Sequence, residues 1–163
     1  MLFIKKNFKV KFDPGTIGEP VKVIFNNDDI TKKVRTEDIA KKTSDLATDP
    51  LIREFIRPCQ RDFMVKPGLV ADGRDMGTVI FNDAKLKIFL TASIEERAKR
   101  RQSQLKRQGS EVNMRLLLQE LEERDKKDKE RKHSPLMPAD DSVIIDTSNI
   151  DPVGVIKAIK KFL

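Results

Sequence analysis

Several residue types that commonly build functional sites are absent or nearly absent from this sequence. Its 163 residues include no tryptophan, no tyrosine, one cysteine (Cys59) and one histidine (His133). A single cysteine excludes an internal disulfide, and these two side chains give no zinc-ligand spacing. No apolar run approaches the length that spans a bilayer, and the opening segment alternates instead of forming a signal-peptide core. We therefore expect a cytoplasmic protein without a membrane segment.

Glycine is also scarce, and its placement excludes one kind of phosphate-binding loop. None of the seven glycines is followed by lysine, so no P-loop of the Walker A type can be written anywhere in the chain. In that loop the backbone amides hold the donor phosphates, a lysine contacts the β and γ groups, and a hydroxyl binds magnesium. Chemistry that needs such a loop would have to obtain it from other polypeptide.

The excess of basic residues narrows the classes of partner. The chain carries 33 Lys and Arg against 26 Asp and Glu, a net charge of +7, which favours polyanions such as nucleotides or nucleic acid. The run KKDKERKH suggests a basic helical nucleic-acid binder as one candidate. The absence of tyrosine and tryptophan for base stacking, and the acids interleaved through the basic helices, argue against nucleic acid as a partner.

The stretch LVADGRDMGTVI, residues 69–80, is the centre of the pattern. Residues 69–71 predict a short buried strand, and Asp72-Gly73 predicts a turn at its carboxyl end, where open α/β sheets bind ligands. Arg74 can present its planar fork to a phosphate or carboxylate, while the neighbouring acids can hold a metal's water shell or accept a hydrogen bond from an amine. An Arg/Asp pair closing a surface turn is the alternative, and spacing alone favours it.

The rest of the chain alternates predicted strands and helices. Alternation predicts an antiparallel hairpin over 2–12 and 21–25, and short apolar runs predict strands at 86–90, covered on both faces, and at 143–145. Caps and periodicity predict a first helix that starts at Thr36 and is broken at Pro50. Further helices are predicted over 51–57, over 94–108, over about 113–132, and from Pro152 onward.

The helix predicted over 113–132 carries one notable face. Arg124, Asp128 and Arg131 fall at i, i+4 and i+7, so two guanidiniums flank a carboxylate. Such a face can bind phosphates with its arginines and a ribose hydroxyl with Asp128. It is equally an ordinary intrahelical ladder of ion pairs.

A family resemblance adds to these observations. The run GLVADGRDMGTVIFNDAKLKIFLTAS, followed by EERAKRRQSQLKRQG, resembles the distal half of bacterial cytidylate kinase, and its DGRDMGT is highly specific to that family. The resemblance extends from about Asn7 to the end. It implies an α/β protein with a partial P-loop nucleoside monophosphate kinase fold, in which helices flank an incomplete parallel sheet. Residues 1–60 would form part of the monophosphate-binding insert, a small antiparallel sheet plus helices, and 61–163 the remaining core, with a helical lid at about 103–133.

The resemblance also implies an activity and a set of residues. The family phosphorylates CMP and dCMP with ATP and Mg2+, and positions the reactants without covalent chemistry. By this resemblance, Ser44 and Arg53 would contact the cytosine ring, Asp75 its amino group, and Arg74 the acceptor phosphate. Asp128 and Arg131 would contact the acceptor's sugar and phosphate. Arg101, Arg124 and Arg131 would lie near the transferring phosphoryl group, and Asp72 would hold a magnesium-bound water.

What the resemblance omits is equally informative. The matching pattern excludes the family's first strand, phosphate loop, first helix and second strand. The first strand lies between the strand ending at Asp72 and the strand at 86–90, so its absence leaves unpaired backbone and exposed apolar faces that another polypeptide could complete. We therefore expect a fragment with weak or absent kinase activity by itself, and a missing N-terminal polypeptide as its partner. A non-catalytic CMP-binding fragment is the alternative.

Overall fold

The structure is a computed structural model that describes residues 9–16, 21–107, 109, 111–130 and 134–163. The chain divides into two compact units, Met1–Arg53 and Glu54–Leu163. Throughout the described ranges, every helix is too short or too polar to cross a lipid bilayer.

A small antiparallel sheet forms the first unit's β layer. Its strands are β1 (Val10–Asp13), β2 (Lys22–Phe25) and β3 (Asp28–Asp29), in that spatial order. The predicted hairpin is confirmed where it is described, and its opening residues 2–8 lie outside the described residues. The tight turn before β3 places Asn26 and Asn27 at φ values of 49° and 75°, a left-handed conformation that asparagine tolerates.

Helix α1 (Glu37–Leu46) follows the sheet, and helix α2 (Pro50–Arg61) begins at the proline that was expected to separate them. The prediction that α2 ends at Arg57 is wrong, because the helix continues through Pro58. Proline lacks an N–H donor, and its ring crowds the carbonyl of the residue four positions earlier. The Pro58 carbonyl still accepts a hydrogen bond from the Asp62 amide at 3.0 Å, so the last turn keeps its bonding.

The second unit is built on a parallel strand pair. Strands β4 (Ile88–Thr91) and β5 (Val143–Asp146) pair in parallel, and helices α3 (Ile94–Arg107) and α4 (Met114–Lys129) lie between them in sequence. The Ser93 hydroxyl accepts from the Glu96 amide at 3.2 Å, which confirms the predicted cap of α3. The fold is thus a mixed α/β arrangement with a small parallel sheet and helices, as expected.

A last helix, α5 (Pro152–Lys160), follows β5. The Asp151 carboxylate caps it by accepting from the Gly154 amide at 2.7 Å, as predicted. The spacing of Val155, Ile156, Ile159 and Phe162 predicts that these side chains face the core. That prediction is wrong for Ile156 and for Phe162, which follows the helix, because they are 54% and 49% exposed.

The apolar surface of the sheet is the main departure from expectation. Residues 69–71 were predicted as a buried strand, but they have no strand partner among the described residues, and Val70 is 100% exposed. Leu90 on β4 and Ile144 on β5 are 51% and 60% exposed, so the prediction that β4 is covered on both faces is also wrong. A strand needs neighbours to satisfy its backbone and bury its side chains, and the described chain supplies β4 with one.

Candidate functional site

The turn at residues 72–75 leads directly into a π-helix (Met76–Ile80). The Asp75 carbonyl accepts from the Ile80 amide at 3.1 Å, and the Met76 carbonyl accepts from the Phe81 amide at 2.7 Å. These i→i+5 bonds define the wide winding, which is rare and often found at functional sites. Asp75 is 8% exposed, so the turn buries one of its two carboxylates, while Asp72 stays exposed.

The far end of the π-helix is held by Arg61, the last residue of α2. Its guanidinium donates to the Ile80 carbonyl and to both Asp83 carboxylate oxygens, the latter at 3.1 and 2.8 Å. The hydrogen bond from Arg61 lowers the pKa of Asp83, and the same bond raises the pKa of Arg61. The π-helix is therefore anchored behind the turn that carries Arg74.

Arg74 pairs with Asp128 of helix α4. The Arg74 Nε donates to Asp128 Oδ2, and the side chains are 36% and 4% exposed. This bond uses the inner nitrogen of the guanidinium, and no acceptor in the described ranges bonds its two outer nitrogens. Those outer nitrogens form the planar fork that suits a phosphate. The pairing brings together two residues that lie 54 positions apart in sequence.

Two more arginines lie near this pair. Partial burial lowers the pKa of Arg124, and the charge of Arg74 lowers it further, with a smaller contribution from Arg101, whereas Asp128 and Asp125 oppose the shift. Like charges lower the pKa of an arginine only when they are close to it. Arg74, Arg101 and Arg124 are called the cationic cluster below. Arg124 thus lies near Arg74, Arg101 and the buried Asp128.

Helices α3 and α4 are joined beside the cationic cluster by a second ion pair. Arg97 of α3 donates to both Asp125 oxygens, at 2.9 and 2.6 Å, and its Nε donates to the Ala92 carbonyl at 3.3 Å. We call these contacts the Arg97 brace. The bidentate geometry is the strong form of an arginine–carboxylate pair. Sequence reasoning did not assign Arg97 or Asp125 a role, because no local pattern connects residues 28 positions apart.

Ser44 and Arg53 belong to the first unit, Met1–Arg53. Ser44 is exposed on the last turn of α1. Arg53 is half-buried and donates from Nη1 to the Ala47 carbonyl, just past that turn, at 3.2 Å. The two residues therefore sit at the same junction between α1 and α2. Their proposed contact with a cytosine ring stays a prediction.

The remaining predicted residues have less structural support. Arg131 lies outside the described residues. Across the described ranges, no group of three or more His, Cys, Asp or Glu side chains is arranged to hold a metal ion. Asp72 could act only as a single carboxylate, which is enough for magnesium when waters and substrate phosphates complete the shell. Its role also stays a prediction.

The chemistry of the assembled residues follows from their charges. Arg74 and Arg101 both repel Arg124, which lies near the buried Asp128, and a bound dianion would relieve that repulsion. The carboxyl oxygens of Asp128 can also accept hydrogen bonds from hydroxyl groups. The arrangement therefore suits a ligand that combines a phosphate with a sugar.

Comparison with known proteins identifies relatives over the whole chain. The cytidylate kinase family model matches residues 2–163. A cytidylate kinase of Shewanella frigidimarina is 45% identical over 163 residues, covering 100% of this chain and 71% of the relative. Cytidylate kinases of Shewanella baltica (strain OS155) and Pseudomonas aeruginosa (strain LESB58) are 49% and 46% identical, each over 85% of this chain and 60% of the relative. The chain thus spans 60–71% of the length of these relatives.

Proposed function

The chain belongs to the cytidylate kinase family, and on that premise we propose that it binds CMP and dCMP and supplies the acceptor side of their ATP-dependent phosphorylation. The products would be CDP and dCDP. The observation that carries this proposal is the Arg74–Asp128 pair within the cationic cluster.

The acceptor phosphate would bind to the outer nitrogens of Arg74. Asp128 holds the inner nitrogen and so fixes the plane of the guanidinium. Arg101 and Arg124, with Arg131, would balance the charge that develops as the phosphoryl group transfers, which is the main catalytic requirement of this reaction. A phosphate between the arginines would also offset the repulsion from Arg74 and Arg101 that, after desolvation, contributes to the lowered pKa of Arg124.

Several polar side chains would recognise the nucleoside. Ser44 and Arg53 would contact the cytosine ring, and Asp75 would accept a hydrogen bond from the cytosine amino group. Asp128 and Arg131 would contact the sugar and its phosphate. Burial of Asp75 supports its part, because a carboxylate shielded from water discriminates strongly for a ligand amine.

The donor side is different, since the residues present do not fit the donor phosphates. No glycine in the chain precedes a lysine, so a Walker A loop must come from other polypeptide. Asp72 would hold magnesium through a water, and bound magnesium would neutralise charge between donor and acceptor phosphates. The chain alone is therefore proposed to bind the acceptor but to phosphorylate it poorly or not at all.

Titration calorimetry with CMP tests the proposal on the chain as it stands. We expect measurable heat with the wild type and a loss of affinity of roughly tenfold or more in Arg74→Ala, because a charge-assisted hydrogen bond contributes about 1.5–3 kcal/mol. Arg115→Ala is the matched control, since Arg115 is an exposed arginine of α4 outside the cationic cluster. Absence of heat with the wild type, or equal affinity in Arg74→Ala, would contradict the proposal.

A further inference from the structure

The Arg97 brace joins three elements at one guanidinium. Arg97 lies on α3, its Nε binds the Ala92 carbonyl just after β4, and its outer nitrogens bind Asp125 on α4. One side chain thus fixes the end of a strand and two helices relative to one another. The side chains of Arg97 and Asp125 are 33% and 29% exposed, so water screens the pair less than it screens a surface pair.

Asp125 holds a particular place on α4. It directly follows Arg124 of the cationic cluster and precedes Asp128 by three residues, so all three lie within little more than one helical turn. Any shift of α4 along its axis or about it would move Arg124 and Asp128 together, and Asp128 would then no longer meet Arg74. Asp125 also acts electrostatically on Arg124, since its charge opposes the lowering of the Arg124 pKa.

We propose that Arg97 and Asp125 are positioning residues, which set α4 in the register that brings Asp128 and Arg124 to Arg74. This inference rests on the proposed function, because the register matters for CMP. The brace does not touch the nucleotide. It acts by holding the groups that do, and small errors in such positioning are costly.

The charge-conserving variant Arg97→Lys is the sharpest test. A lysine keeps the positive charge but cannot form the two parallel bonds to Asp125 and the third to Ala92. We expect faster amide hydrogen exchange across Met114–Lys129 and a loss of CMP affinity of roughly tenfold to a hundredfold. Measurements on the wild type and the variant at the same pH and salt give both quantities.

Arg100→Lys is the matched control. Arg100 lies on the same helix and also makes several hydrogen bonds, but to Thr147 and Ile150, not to α4. We expect this variant to leave both the exchange of α4 and the CMP affinity unchanged. Equal behaviour of the two variants, or a wild-type profile in Arg97→Lys, would overturn the inference. A loss of affinity without faster exchange in α4 would overturn it as well.

The two proposals fail in different ways. Absence of CMP binding by the wild type would reject the proposed function, and hydrogen exchange alone would then decide the brace. Faster exchange confined to α4 in Arg97→Lys would support the brace as a determinant of helix register, and unchanged exchange would reject it.

Discussion

In the second unit, the charged side chains of the helices have bonding partners, whereas several apolar side chains near the sheet remain exposed to solvent. On the helical side, charged groups have partners within the chain: Arg74 binds Asp128, Arg97 binds Asp125, and Arg100 binds Thr147. On the sheet side, Val70, Leu90 and Ile144 expose half or more of their surface. An ion pair needs one partner, whereas a strand needs neighbours along its length. The side chains proposed to bind the acceptor therefore already have partners that fix their positions, whereas Leu90 and Ile144 of the sheet are left uncovered by the described residues.

The largest test of this comparison is catalytic. If the sheet side lacks the donor machinery, the purified chain supplied with ATP, Mg2+ and CMP should turn over at least about a thousandfold below the roughly 1–100 per second of kinases. A coupled assay for ADP measures this rate, with a full-length relative as the positive control. Turnover within the ordinary range of kinases would contradict the claim that the chain lacks the groups that bind the donor phosphates.

A pair of core substitutions tests the same distinction through stability. Leu117 of α4 is 4% exposed, whereas Val70 is 100% exposed. We expect Leu117→Ala to lower the free energy of unfolding by about 2–5 kcal/mol, and Val70→Thr to change it by less than about 0.5 kcal/mol. Urea denaturation measures both. A comparable loss in Val70→Thr would show that residues 69–71 are buried after all.

Asp128→Asn tests how much the charge of Asp128 contributes to the stability of the helical side. The variant keeps the shape of the side chain but removes its charge from beside Arg74, Arg101 and Arg124, so repulsion among the arginines increases. We expect a loss of about 1–3 kcal/mol in urea denaturation, nearer the lower value because Arg74 is 36% exposed and water screens its charge. Glu122→Gln, an exposed acid of the same helix, should leave stability unchanged. Equal losses of stability in Asp128→Asn and Glu122→Gln would mean that the charge of Asp128 does not stabilise the fold.

The smallest expected effect is on the stability of the protein at low pH. The bond from Arg61 lowers the pKa of Asp83, and the bond from Lys87 lowers the pKa of Asp141, below their ordinary 3.8. A carboxylate whose folded pKa is lowered stabilises the fold above its ordinary pKa, and that contribution is lost as pH falls through the lowered value. Between about pH 4 and pH 2, Asp83→Asn with Asp141→Asn should therefore lose melting temperature less steeply than the wild type. Asp62→Asn, a similarly exposed aspartate, should follow the wild type.

Sequence reasoning succeeded where the determinants are local. The caps at Ser93 and Asp151 were predicted correctly, and the apolar runs located β4 and β5 to within about two residues, because these features depend on a few neighbouring residues. The strand at 69–71 was wrong because apolar composition cannot report whether a neighbouring strand is present. The bond between Arg97 and Asp125 could not be foreseen, because helix packing brings these residues together. The family resemblance assigned Arg74 and Asp128 to the same ligand, but the direct bond between them was not predicted.

Because residues Met76–Ile80 form a π-helix, the exact number of residues between Arg74 and the end of this segment is structurally important. Its bonds skip one more residue than those of an α-helix, so the segment holds its extra residue only while both ends stay fixed. Removing any one residue from 76–80 would favour the tighter α winding and would change the spacing between Arg74 and the end of the segment that Arg61 holds. Insertions and deletions here should accordingly be less acceptable than substitutions, whatever the chemical character of the residue involved.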